Sequence, residues 1–137
     1  MTEITQNISF SAAHRLLNYQ GSCNMLHGHL WTGTISLESD RKLDECGMLL
    51  DYRTIKNYIK DHYDHCTILN MDDPLVNVLK NMGLAVTILK DNPTAENLAK
   101  KILADMVLLA DLDPKNSCDY CRVVIHESPE NSAEECL

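Results

Sequence analysis

Hydrophobic positions recur every second residue along "ITQNISFSAAH" (4 to 14). Ile4, Ile8, Phe10 and Ala12 share one strand face, and His14 ends that face. Residues 27 to 38 alternate in the same way, with His27, His29, Trp31, Gly33, Ile35 and Leu37 on one side. The stretch between, "RLLNYQGSCNML", is too long for a tight hairpin turn and reads as a functional loop carrying Cys23. After the turn-rich "DRKLDECG" the period lengthens. Asp51 is placed to cap a helix whose stripe is Tyr52, Ile55, Ile59 and Tyr63. "LAVTILK" (84 to 90) reads as a short strand, and "NPTAENLAKKILADMVLLA" as a second helix. Thr94 is the cap of that helix and Glu96 complements its dipole. Leu98, Ile102, Met106 and Leu109 form its buried stripe, and Pro114 is its stop. "YCRVVIHES" returns to alternation, with Cys121, Val123, Ile125 and Glu127 on one face. Strands, then helices, then a strand predict an α+β fold: an antiparallel sheet with helices on one face.

Face assignment changes the meaning of the histidines. Residues two apart on a strand point the same way, so His27 and His29 project together, with Gly28 leaving room between them. If the first two strands pair, His14 joins them. Three neutral imidazoles leave a tetrahedral zinc one open position, the pattern of a catalytic site. One histidine alone would read as an ordinary strand-end residue; three on matching faces point to metal. Cys23 lies four positions before His27, and only a thiolate is nucleophilic or basic, a form that nearby positive charge favours. Asp64 and His65, in "YDHCTILN", offer a carboxylate beside an imidazole, although a solvated helix end accounts for them equally. Glu127 ends an apolar strand face, so it either escapes to water or finds a donor-rich partner such as the N–H groups of a heterocycle.

Composition narrows the class. The chain has 137 residues, 45% of them hydrophobic and only 5% aromatic, consistent with a single domain (1–137) and an aliphatic core. A net charge of -8 without a Lys/Arg cluster argues against nucleic acid. No apolar run reaches membrane-spanning length and no signal peptide opens the chain, so the expectation is a soluble, cytoplasmic protein without a membrane partner. The six cysteines are then expected as free thiols, and the lone "CDYC" pair, Cys118 and Cys121, lacks the second pair a zinc ribbon needs.

Taken together, "FSAAHRL", "CNMLHGH", "GMLLDYRTIK", "YDHCTILN", "NPTAENLA" and "VVIHES" resemble, in order, the 6-pyruvoyltetrahydropterin synthase / 6-carboxytetrahydropterin synthase (QueD) family. The resemblance implies the tunnelling fold (T-fold): a four-stranded antiparallel sheet with two helices on one face, subunits closing into an oligomeric barrel. A homohexamer, a dimer of trimers with active sites between subunits, is the expected assembly. It also implies Zn2+ on His14, His27 and His29, Cys23 as catalytic thiol, and Asp64 with His65 as proton relay. Glu127 would anchor the pterin, and Thr94 and Glu96 would lie near the pterin pocket, though helix capping explains both. Three residues ("NML") separate the cysteine from "HGH", as in the carboxy-forming branch. The implied function is a zinc-dependent lyase converting 7,8-dihydroneopterin triphosphate to 6-carboxytetrahydropterin, acetaldehyde and triphosphate, on the way to 7-deazapurines such as queuosine. The alternatives are the pyruvoyl-forming enzyme, an aldolase-like activity on dihydroneopterin, and a T-fold protein that binds pterin or zinc without turnover. The acidic "ESPENSAEECL" departs from the family's usual ending, and the 72–89 stretch is longer than in its shortest members.

Overall fold

Alternation along the first two segments is realised as two long strands, β1 (Thr2–His14) and β2 (His27–Ser39), paired antiparallel over their full length. The computed structural model describes residues 1–137. In the observed register His14 faces His27, Ala12 faces His29 and Phe10 faces Trp31, so the apolar stripe and the imidazoles share one side of the sheet. Strand β5 (Tyr120–His126) pairs with the other edge of β2, setting Val123 against Ile35 and Ile125 against Gly33. Gly33 has a steric reason: a Cβ there would lie 2.2 Å from the Val124 carbonyl oxygen and 3.2 Å from Ile125 Cδ1.

The sheet has six strands rather than the expected four, in the order β4 (Val86–Leu89), β3 (Cys66–Asn70), β1, β2, β5, β6 (Ser132–Cys136). Its antiparallel part, β1, β2, β5 and β6, is the expected four-stranded unit. Two short parallel strands, β3 and β4, extend it beyond β1. A parallel connection needs a crossover, and α2 (Leu75–Asn81) supplies it, so there are three α-helices rather than two. This flank accounts for the long 72–89 stretch.

Helices α1 (Tyr52–Tyr63) and α3 (Ala95–Leu109) begin at the expected caps: Asp51 accepts from the Arg53 amide and Thr94 from the Asn97 amide. Ile55, Ile59 and Tyr63 of α1, with Leu98, Ile102 and Met106 of α3, close one core over Phe10, Trp31, Ile35 and Ile125. Tyr52 is exposed and Leu109 half-buried, so each predicted stripe is shorter by one residue at one end. Within this core the Tyr63 hydroxyl donates to Asp105 Oδ2 at 2.5 Å, and Lys101 pairs with the other carboxylate oxygen. All six cysteines are unpaired thiols. No helix is long and apolar enough to cross a membrane.

Candidate functional site

Pairing of β1 with β2 brings His14, His27 and His29 into one cluster, their ring centroids 4.6 to 5.1 Å apart. Trp31 forms the floor, its ring edge-on to His14 and His29, while its indole N–H donates to the Ala12 carbonyl. Two imidazoles are fixed in orientation and tautomer by backbone carbonyls. His14 Nδ1 donates to the Pro93 carbonyl at 2.8 Å and His27 Nδ1 to the Met25 carbonyl at 2.7 Å. A carbonyl only accepts, so each Nδ1 carries the proton and each Nε2 turns a lone pair toward the cluster. Burial pushes the His14 pKa below its ordinary value, which favours the neutral, metal-ligating form.

Glu127 completes the group. One donor atom from each of His14, His27, His29 and Glu127 lies within 4.8 Å of all the others. Glu127 Oε1 is 3.0 Å from His29 Nε2 and 3.7 Å from His14 Nε2. Despite that proximity, both nitrogens are buried without an aligned hydrogen-bond partner. Buried polar atoms in native proteins are almost always satisfied. Three imidazoles and a carboxylate converging on one point meet that need with a cation of the imidazole-binding first-row metals, zinc, copper, iron and nickel among them. The donor set therefore fits a bound metal.

An open cleft of about 710 Å3 starts at His29 and Glu127 and runs past Thr32 and His126. Its size suits a bicyclic heterocycle with a substituent. Glu127 stands at the boundary, belonging both to the cleft and to the imidazole cluster.

The other predicted residues take different places. Asp64 caps the end of α1, and His65 follows in a left-handed conformation at φ 56°. Both are fastened to β1: the Ser11 amide donates to Asp64 Oδ1 at 2.9 Å, and the His65 amide donates to the Ser11 carbonyl at 2.7 Å. His65 Nδ1 lies 2.9 Å from Asp64 Oδ2, and the His65 side chain is 83% exposed. The Ser11 amide, followed by His65, holds the Asp64 pKa below the usual carboxylate value. The dyad is therefore formed, but it is not a member of the four-residue cluster. Cys23 sits in a 3-10 turn, Ser22–Asn24, half-buried and outside the cluster as well. Thr94 and Glu96 serve as cap and exposed first-turn acid of α3, next to the Pro93 carbonyl that orients His14.

Gly28 does not separate the histidines as its spacing implies. Its missing Cβ would point to the opposite face and meet nothing nearer than 3.5 Å. Sequence reasoning also passed over Trp31 as floor and the Pro93 and Met25 carbonyls as orienting acceptors. Trp31 was in view as the next residue of the histidine face; backbone acceptors have no sequence signal.

A family model described as 6-pyruvoyl tetrahydropterin synthase matches residues 3–136. The chain is 35% identical over 105 residues to 6-carboxy-5,6,7,8-tetrahydropterin synthase of Rickettsia bellii, covering 72% of this chain and 75% of that protein. It is 27% identical over 129 residues to the Bacillus subtilis protein of the same name, covering 93% and 80%. Among solved structures, Caenorhabditis elegans 6-pyruvoyl tetrahydropterin synthase superposes with a TM-score of 0.60 at 27% identity, covering 98% and 94%. A catalytic-residue mutant of the Plasmodium vivax 6-pyruvoyltetrahydropterin synthase gives 0.69 at 20% identity, covering 99% and 97%, a likeness of fold.

Proposed function

Because the chain belongs to the 6-pyruvoyl tetrahydropterin synthase family, with the T-fold, we propose that it is a 6-carboxy-5,6,7,8-tetrahydropterin synthase. The observation that carries this reading is the cluster of three imidazoles, two of them fixed by backbone carbonyls, with Glu127, in a chain 35% identical to relatives of that name. The substrate is 7,8-dihydroneopterin triphosphate and the cofactor zinc, held by His14, His27 and His29. Zinc supplies Lewis-acid polarisation of the substrate's side-chain oxygens when bound.

The protein's own groups do the rest. Glu127 accepts hydrogen bonds from the pterin amino and ring N–H groups at the mouth of the cleft, fixing which carbon is presented. Cys23, as thiolate, removes a proton from the substrate side chain. His65, held by Asp64, exchanges protons on the other side of that carbon. Thr94 and Glu96 belong near the pterin pocket, beside the Pro93 carbonyl that orients His14. Loss of triphosphate and internal redox to the tetrahydro ring are followed by carbon–carbon cleavage that consumes one water. Its hydroxyl joins the ring-side carbonyl carbon to make the carboxyl group and its proton goes to the departing carbon, giving 6-carboxytetrahydropterin and acetaldehyde. The reaction is a lyase reaction, and its product leads toward 7-deazapurines such as queuosine.

The assembly is a homohexamer built from trimeric barrels, in the cytoplasm. Two features support it. Strand β3 pairs with β1 only at Ala12–His14, leaving the Thr2–Phe10 part of that edge open, and β6 ends the sheet at its other side. The Asp64–His65 dyad, whose imidazole is exposed, is also not a member of the four-residue cluster, which leaves it available to a site completed by a neighbouring copy.

The test is to incubate zinc-loaded protein with dihydroneopterin triphosphate and assay acetaldehyde alongside the pterin products. Acetaldehyde with 6-carboxytetrahydropterin is the expected result. A pyruvoyl product without acetaldehyde moves the protein to the other branch, and no turnover returns the site to binding alone.

A further inference from the structure

The loop that carries Cys23 leaves β1 at His14 and returns at His27, and its root is gripped at three closely spaced positions. His14 Nδ1 is bonded to the Pro93 carbonyl. Arg15 makes a two-pronged ion pair with Asp73, Nε to Oδ2 at 2.7 Å and NH2 to Oδ1 at 2.6 Å. The Asp73 side chain is fully buried, and its Oδ1 also accepts from the Leu75 amide at the start of α2. Leu17 is held on both backbone groups by one side chain: its amide donates to Asn92 Oδ1 and its carbonyl accepts from Asn92 Nδ2, both at 2.9 Å. Asn92 thus imitates a neighbouring strand for a single residue. Asn92 is itself fixed, since Asn70 donates to its Oδ1 at 3.3 Å and Asn97 donates to its carbonyl at 2.9 Å. Between these grips the Leu16 amide donates to the Cys23 carbonyl at 2.9 Å. The thiol's backbone is therefore fastened to a residue flanked on both sides by clamped neighbours.

We propose that Asn92, together with the Arg15–Asp73 pair, is a positioning device that fixes the Cys23 loop relative to the histidine cluster. The α2–β4 flank is the frame that carries it. Asp73 lies two residues before α2 and Asn92 follows β4, so the extra parallel strands bring both to the loop root from 58 and 75 residues away in sequence. A bidentate carboxylate–guanidinium pair and a two-bond amide clamp restrict direction as well as distance, which a hydrophobic contact would not. The inference rests on the reading of Cys23 as the reacting thiol for its catalytic meaning, but its test does not need turnover.

The experiment compares wild type, Asn92→Ala and Asn92→Asp as zinc-loaded full-length protein. Iodoacetamide labelling of Cys23 is followed by peptide mass spectrometry, with the exposed Cys46 as internal reference. Loss of two buried-side hydrogen bonds in Asn92→Ala raises the Cys23/Cys46 rate ratio about fivefold or more. Asn92→Asp keeps the acceptor for the Leu17 amide and gives a smaller rise. Zinc content stays at the wild-type level, and kcat falls while KM changes by less than about twofold. An unchanged labelling ratio in folded Asn92→Ala overturns the proposal. Should that variant not fold, Arg15→Lys provides the same readout, and an unchanged ratio there has the same meaning. A raised ratio in a protein whose wild type has no turnover keeps the clamp and removes only the catalytic reading of Cys23.

Discussion

Tyr63 ends the helix that delivers Asp64 and His65, and its hydroxyl is the most informative single group to remove. It is buried, it donates to Asp105 Oδ2 at 2.5 Å, and Asp105 is buried too. A hydrogen bond to a charged, buried acceptor contributes about 1.5–3 kcal/mol. Tyr63→Phe deletes it while keeping the ring against Phe10, whose centroid is 5.7 Å away. For a chain of this length a loss of ~2 kcal/mol lowers Tm by about 7 °C. The same contact makes a second, independent signature. Burial, and then Asp105, push the Tyr63 phenol above its usual range, so the folded protein keeps a proton that the unfolded chain releases near pH 10. Its contribution is complete below pH 10 and declines above it, by about 1.4 kcal/mol per pH unit. Tyr58, pushed up to about 12 chiefly by burial, adds a similar decline between pH 10 and 12 in both proteins. Urea unfolding followed by circular dichroism at pH 8 to 11, at one fixed protein concentration, separates the two effects. Tyr63→Phe is less stable at pH 8, and its curve falls less steeply above pH 10 than that of wild type. Parallel curves across that range would refute the assigned burial of the phenol, whatever the offset at pH 8.

Other substitutions test the remaining parts. His29→Ala depletes zinc as measured by plasma emission spectrometry, and a fully metallated, active variant would sink the cluster as the metal site. Cys23→Ala abolishes turnover with zinc retained; loss of metal along with activity would make the thiol a ligand instead. Gly33→Ala forces a Cβ against the Val124 carbonyl and costs about 1–3 kcal/mol in thermal unfolding, and an unchanged Tm would contradict the 2.2 Å approach. His65 adopts φ 56°, so His65→Gly is more stable than His65→Ala by about 1 kcal/mol although both lack the relay; equal melting would show that the left-handed backbone is not strained.

Alternation made β1, β2 and β5 readable, because side chains two apart share a face wherever one face is buried. That logic placed His14, His27 and His29 together before any pairing was known. It put Glu127 on the inner face at the end of that last alternation, one residue beyond β5, but gave no register against β2, and register is what carries its carboxylate to His29. The parallel strands were harder. "CTILN" follows α1 at once, without a turn signal, and its partners lie far away in sequence. Helix α2 has seven residues, and Pro74 at its N-cap offers no capping side chain. Strand β6 hides behind acidic composition, although Ala133 and Glu135 are half-buried on one face while Arg122 pairs with Glu134 on the other. The clamp on Leu17 was invisible because an asparagine side chain replacing a strand leaves no periodic trace.

The register of β1 against β2 carries a consequence for how the chain reaches its native state. Phe10 opposite Trp31 and His14 opposite His27 are products of one alignment. A slip of one residue turns the whole inner face of β1 outward, parting His14 from His27 and His29 and emptying the core in the same movement. A cation that needs all three imidazoles would bind the aligned chain most tightly, so its binding energy would favour that register over misaligned competitors. Metal uptake would then act as proofreading during folding, rewarding the one alignment in which His14 meets the pair on the neighbouring strand.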